Sequence, residues 1–166
     1  MKIRAEQPTD EKAIEEVIKS AFEHHPHSNQ TEHQIVNALR HANALSLSLV
    51  ALLEDRVVGH IAFSKVQING KDLSWYGLAP VSVLPAFQNQ GIGSALIREG
   101  LQQLKALNAR GCVLVGEPEY YVRFGFTHSD SLVYEEIPEE YFMSKTLTDM
   151  AIPNGVVKYH KAFNSG

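Results

Sequence analysis

The sequence holds a single cysteine, Cys112, so no disulfide can form within the chain. That fits a reducing compartment and excludes the small cross-linked scaffolds of secreted domains. No stretch approaches the roughly 20 apolar residues that a membrane-spanning helix needs. The opening residues MKIRAEQPTDEK lack the apolar core of a signal peptide. Basic residues are few and scattered: 15 Lys and Arg stand against 19 Asp and Glu, for a formal net charge of −4. A nucleic-acid binder carries a basic face, and no Lys/Arg cluster suggests one here. There is no internal repeat and no low-complexity linker. The expectation is a cytoplasmic protein whose partners include neither nucleic acid nor a membrane.

What remains is an ordinary globular composition, 44% hydrophobic and 20% charged over 166 residues. A chain of roughly 150 residues buries about two-thirds of its unfolded surface, which suits one domain over residues 1–166. Lys2 to Gln7 reads as a strand. PTDEKAIEEVIKSAF reads as a helix with Ile14, Val17, Ile18 and Ala21 on one stripe. HHPHSNQ breaks it. Asn29 with Glu32 three residues on reads as a capping box, opening a second helix that buries Ile35, Val36 and Leu39. Strands follow at Leu45–Glu54, Val57–Ile68 and about Leu73–Leu84, with Asn69-Gly70 as a hairpin turn. Gly91 to about Asn108 reads as a helix with Leu96, Ile97, Leu101, Leu104 and Leu107 on one side. CVLVG is a short, fully apolar strand, and EPEYYVRF a short helix with Pro118 in its first turn. GFTHSDSLVYE and GVVKYHKAF read as two closing strands joined by an irregular segment from Glu136 to Asn154. Strands grouped in this way, without strict βαβ alternation, predict an α+β fold.

The chemistry concentrates in QNQGIG, residues Gln88–Gly93. Two glycines at the start of a helix need a reason, because glycine is a poor helix residue. A dinucleotide-binding turn requires G-x-G-x-x-G/A, and Leu96 occupies the third position. A plain tight turn stays open on spacing alone. So does an anion cradle, because a helix start offers unpaired N–H groups and a positive dipole end.

The pattern Gln88-x-x-Gly91-x-Gly93, after VSVLP and before an amphipathic helix, resembles the acyl-CoA-binding motif of the GNAT acetyltransferase superfamily. YYVRFGF resembles its short-helix signature, a tyrosine four residues before Gly-Phe: Tyr121 to Gly125-Phe126. The element order agrees, and the resemblance spans nearly the whole chain. It is also similar to a bacterial subgroup of predicted N-acetyltransferases. The resemblance implies a mixed, mostly antiparallel twisted sheet of about seven strands with helices on both faces. It implies a splay between the fourth and fifth strands. Backbone groups of Asn89, Gln90, Gly91, Ile92, Gly93 and Ser94 would hold the pyrophosphate of acetyl-CoA, with Gln88 at the edge of the loop. Val81, Ser82 and Val83 match the strand that pairs with the pantetheine arm. Pro80 marks that strand for a local irregularity, because it lacks a ladder donor.

The implied reaction is direct acetyl transfer from the thioester to a small-molecule or peptide amine. Tyr121 matches the tyrosine that acts as general acid toward the leaving thiolate, although an aromatic there also serves packing. The strand before the glycine motif lacks the carboxylate common in the superfamily. Glu117, just after CVLVG, is the candidate base; it also reads as a first-turn carboxylate favoured by the helix dipole. Two alternatives stay open, the first because of that gap. One is a non-catalytic acyl-CoA-binding or sensing module. The other is an acyltransferase using a longer acyl chain or a hydroxyl acceptor.

The histidines of HHPH, with His33 and His41, fit no structural zinc spacing, so no metal is expected. The loop between the first two helices borders the acceptor site in the superfamily, which makes Phe22, His24 and His25 candidate contacts. His60 reads as a hydrogen-bonded structural histidine, Cys112 as a small hydrophobe, and Trp75 and Tyr76 as core. The Glu136–Asn154 segment is expected to lie over the acceptor channel or at a homodimer contact.

Overall fold

The computed structural model describes residues 1–164. It begins with β1 (Lys2–Ala5), α1 (Glu11–Phe22), α2 (Glu32–His41), β2 (Leu47–Leu53), β3 (Arg56–Lys65), β4 (Gln67–Ile68) and β5 (Trp75–Val83). It continues through α3 (Ile92–Ala106), β6 (Gly111–Val115), α4 (Pro118–Tyr121), β7 (Leu132–Val133), β8 (Phe142–Thr146) and β9 (Gly155–Lys158).

Strand β2 shows why the layers form. Leu49 and Ala51 point into one core, and Val50 and Leu52 into another. A strand apolar on both faces needs a covering layer on each. Helix α3 covers the first with Ile92, Leu96, Ile97, Leu101 and Leu104. Helices α1 and α2 cover the second with Ile14, Ile18 and Val36. Fully burying such side chains contributes roughly 1.5–3 kcal/mol each.

The main sheet has six strands in the order β1-β2-β3-β5-β6-β8. Every neighbouring pair is antiparallel except β5 and β6. A second sheet of short strands runs β4-β9-β7. The expected mostly antiparallel sheet with helices on both faces is thus present, and its strands divide between two sheets. The expected strand Val57–Ile68 breaks at Val66, and Gln67–Ile68 joins the second sheet.

Three readings of the sequence are corrected. The strand that closes the main sheet is β8, inside the Glu136–Asn154 segment expected to be partly irregular. Phe142 enters one core and Met143 another, so neither face shows the polar alternation that marks a strand. LVYE and GVVK supply only the short β7 and β9 of the second sheet. The Asn29 capping box is not formed: Gln30 adopts φ 62°, and α2 starts at Glu32 with Thr31 as its N-cap. Glu32 accepts a 2.6 Å hydrogen bond from Ser28 Oγ instead. Leu107 is half exposed, because α3 ends before it and it serves as the C-cap.

Candidate active site

Strands β5 and β6 start together and then part. They pair in parallel through Trp75–Gly111, Tyr76–Cys112 and Gly77–Val113 only. Beyond that point Leu114 and Val115 pair with β8, while Leu78 and Val81–Val83 pair with β3. The gap is the expected splay between the fourth and fifth strands. An irregularity in β5 accompanies it. The register slips between Ile61–Val81 and Phe63–Leu78, so Ala79 and Pro80 together face Ala62. The Ala79–Pro80 peptide is cis. An extra residue of this kind bends the strand and flips side-chain parity. Tyr76 and Leu78 before it, and Val81 and Val83 after it, accordingly meet the same core.

The open edge of β5 carries free backbone groups. Leu84 N–H donates to Val58 O at 2.9 Å, toward β3. Successive residues of a strand face opposite edges, so the N–H and C=O of Val83 and Val81 face the gap. Gln88 Nε2 donates to Val83 O at 3.0 Å.

Helix α3 begins at the same end of β5. Gly91, its N-cap, sits at φ 84° and Asn89 at φ 63°. These left-handed residues turn the chain into α3, whose first N–H groups, as at any helix start, lack intrahelical partners. At Gly93 an added Cβ would lie 3.7 Å from Tyr120 Oη and 3.8 Å from Val83 Cγ2, ordinary van der Waals distances. The fold itself therefore leaves room for alanine at 93, whereas Gly91 answers a backbone requirement.

The tyrosines of α4 separate. Tyr120 Oη lies 3.4 Å from Ser94 Oγ, on the first turn of α3. Tyr121 turns away: its ring occupies the space that a side chain on Gly116 would need, and it packs edge-on to Tyr120 and Phe126. Burial, with the neighbouring Tyr120, pushes the Tyr121 hydroxyl up to about 12. Glu117 is exposed at the N-cap of α4, and its side chain makes no capping hydrogen bond.

A polar chain that runs from the half-buried Arg40 and Glu6 to the buried Ser48 and His60, not foreseen in the sequence, lies on the α1 and α2 side of the sheet. Arg40 donates to Glu6 through Nε at 2.8 Å and Nη2 at 2.9 Å. Ser48 Oγ donates to Glu6 Oε1, and His60 Nε2 lies 2.8 Å from Ser48 Oγ. His60 is wholly buried, which pushes its imidazole down to about 4. Its neutral ring donates from Nε2, leaving Nδ1 as a bare acceptor with no partner among the described residues. Ser82 faces His60 across the strands, and its buried hydroxyl also has no partner there. No periodicity brings Glu6, Arg40, Ser48 and His60 together; only the pairing of β1, β2 and β3 with α2 alongside does.

The remaining candidates are placed as follows. His24 and His25 are exposed and Phe22 is half-buried, its ring 5.7 Å from that of His25. Trp75, Tyr76 and Cys112 are buried in the cores. Burial pushes the Cys112 thiol up, so it is no nucleophile at neutral pH. Among the described residues no group of three or more His, Cys, Asp or Glu is arranged to hold a metal, and no helix is long and apolar enough to cross a membrane.

The acetyltransferase (GNAT) family model matches residues 11–126. An uncharacterized N-acetyltransferase, YhbS of Escherichia coli strain K12, is 35% identical over 170 residues, 99% of each chain. A GNAT family acetyltransferase from Brucella melitensis, solved in complex with acetyl-CoA, is 50% identical with a TM-score of 0.88. That match covers 98% of this chain and 97% of the other. The structure of E. coli YhbS in complex with CoA is 34% identical with a TM-score of 0.91, over 98% and 91% of the two chains.

Proposed function

This chain belongs to the GNAT acetyltransferase family, and on that premise we propose that it transfers the acetyl group of acetyl-CoA directly to an amine. One observation carries the reading. The free edge of β5 opens at the same end of the sheet as the unpaired N–H groups of α3, 3.8 Å apart at Val83 and the position of a Gly93 Cβ. A thioester cofactor needs both: a strand edge for its amide arm and an anion seat for its diphosphate. Asn89 to Ser94 hold the diphosphate, with Gln88 bracing the loop against β5. Val81, Ser82 and Val83 take the arm.

The acceptor nitrogen attacks the thioester carbonyl, a C–N bond forms, and the C–S bond then breaks. The N–H of Val83 or Val81 stabilises the oxyanion between these steps. Tyr121, a phenol that is protonated at neutral pH, gives its proton to the departing thiolate. Glu117 takes the proton of the amine. The acceptor is a small molecule or a peptide amine, and the whole chain, 1–166, acts as one acetyltransferase domain in the cytoplasm, with a homodimer as its assembly.

The test pairs calorimetric titration with acetyl-CoA and a free-thiol release assay over a panel of amines. Cofactor binding with turnover on one amine class supports the reading. Binding without turnover on any amine moves it to an acyl-CoA sensor. Turnover on alcohols or with longer thioesters moves it to those acyl transfers, and no binding at all overturns it.

A further inference from the structure

We propose that the Ser82 hydroxyl, with its hydrogen drawn to His60, receives one N–H of the incoming amine and thereby selects primary over secondary amines. This deepens the acetyl-transfer reading above and rests on it.

Two buried polar groups point to a ligand. Ser82 Oγ and His60 Nδ1 have no hydrogen-bond partner among the described residues. The two residues are directly paired across β3 and β5. Their side chains therefore share one face of the sheet, with Cβ atoms about 4.5–5.5 Å apart. Rotation of the serine about χ1 brings its hydroxyl within reach of the imidazole. An unpaired buried polar group costs about 1–3 kcal/mol, so two of them on one cross-strand pair require a reason.

Their face is the one the cofactor leaves free. Val81 and Val83 send their side chains into the core beneath α3. Ser82 lies between them and points the other way. It sits beside His60, whose partner on β2, Val50, lies in the core beneath α1 and α2. The diphosphate seat is the start of α3, so the cofactor enters from the α3 face. An amine that attacks the thioester carbonyl then approaches through the gap from the opposite face. The cofactor arm takes backbone groups of Val81 and Val83, each one residue from Ser82, about 3.3 Å along the strand. Pairing of β5 with β6 ends at Gly77, so no paired strand separates Ser82 from the gap.

The polar chain behind this pair sets its direction. Arg40 donates to Glu6, and Ser48 Oγ donates to Glu6 Oε1. With its hydrogen committed, Ser48 Oγ accepts from His60 Nε2 at 2.8 Å. The neutral ring has one N–H, so Nδ1 accepts. Burial keeps the ring neutral down to about 4, and this tautomer holds at neutral pH. Ser82 gives its hydrogen to Nδ1 and turns its lone pairs to the amine. Glu6, Ser48 and His60 are positioning residues; Ser82 is the group that touches the acceptor. A neutral primary amine directs its lone pair at the carbonyl and has two N–H groups, one for Ser82 and one for Glu117. A secondary amine has a single N–H and forfeits one of these partners.

The free-thiol assay tests this with n-butylamine, benzylamine and phenethylamine, each beside its N-methyl derivative. The wild type should show a higher kcat/KM for the primary amine of a pair. Ser82→Ala should lower that kcat/KM about two- to tenfold, the scale of one hydrogen bond. It should leave the N-methyl amine and the Kd for acetyl-CoA unchanged, so the ratio narrows. The Tm of Ser82→Ala should equal or exceed that of the wild type, because a buried unpaired hydroxyl is removed. His60→Phe should narrow the ratio as well, and the double variant should narrow it no further, as groups acting as one unit do. If His60→Phe fails to fold, Ser82→Ala decides. An unchanged ratio in Ser82→Ala, or an equal loss on both amines, overturns the proposal and leaves acetyl transfer standing. Acetyl-CoA binding without turnover of any amine overturns the proposal together with the amine acceptor. Failure to bind acetyl-CoA at all overturns the acetyl-CoA reading itself and the proposal with it.

Discussion

The side-chain amide of Gln88 donates a 3.0 Å hydrogen bond to the carbonyl of Val83, the last residue of β5. The bond joins the loop before α3 to the open edge of the split sheet. It also occupies a backbone acceptor that no strand partner takes. Gln88→Ala should loosen the loop without touching the core, since the side chain is exposed. One hydrogen bond contributes about 0.5–1.5 kcal/mol, so the KM for acetyl-CoA should rise roughly two- to tenfold with kcat nearly unchanged. A fall in kcat with constant KM would show that Gln88 does something other than brace the loop.

The two glycines should respond differently. Gly91→Ala places a side chain at φ 84° in open space, so its cost is conformational alone, about 1–2 kcal/mol of folding stability. Gly93 is helical and has room, so Gly93→Ala should keep or slightly raise stability, by up to about 1 kcal/mol. Gly93→Asp should remain folded yet lose cofactor binding, because it puts a carboxylate where a phosphate must sit. Thermal melts alongside titration with acetyl-CoA separate the two effects. Undiminished binding by a folded Gly93→Asp protein would remove the cradle.

The neighbouring tyrosines should divide binding from chemistry. Tyr121→Phe should lower kcat by about 10²-fold or more, the usual scale for general acid catalysis, with little change in cofactor affinity. Tyr120→Phe should act on affinity, since that hydroxyl sits at Ser94. Glu117→Gln should lower kcat at neutral pH, with little change in cofactor affinity, if its carboxylate is the base. Steady-state kinetics across pH for the three variants decides between these roles, and a Tyr121→Phe enzyme with wild-type kcat would return Tyr121 to packing.

Acid should destabilise the fold through His60. Burial holds its imidazole neutral down to about 4, while the unfolded chain takes up a proton near 6.5. Between these values the unfolded state binds more protons, so stability falls as the pH drops from 6.5 to 4 and levels off below. The full shift corresponds to roughly 3 kcal/mol. Burial opposes ionisation of Glu6, but hydrogen bonds from Arg40 and Ser48 hold its carboxyl below the usual range, so its loss comes at lower pH. Urea unfolding at pH 7 and pH 4.5 should show a steeper decline for the wild type than for His60→Gln. Parallel declines would place the acid sensitivity elsewhere.

Local chemistry made much of this protein legible before any coordinates. The α1 stripe of Ile14, Val17 and Ile18 and the α3 stripe from Leu96 to Leu104 are helix-period patterns, and both are buried as read. Asn69-Gly70 forms a turn with both residues at positive φ. Pro80 marked the irregular point of β5. Each of these depends on a residue and its near neighbours, so a one-dimensional reading reaches them.

Pairing between distant segments is what the tertiary structure decided. Phe142–Thr146 looked irregular because both of its faces are buried, and only its register with β6 makes it a strand. The split of β5 from β6 arises because β6 goes on with β8 while β5 stays with β3. The Arg40–Glu6–Ser48–His60 chain joins α2, β2, β3 and the residue that follows β1. Contacts of this range have no period in sequence, because their geometry follows from how twisted strands and helices stack. The glycine motif thus lay in a short stretch of sequence, while the parting of β5 from β6 beside it came into being only on folding.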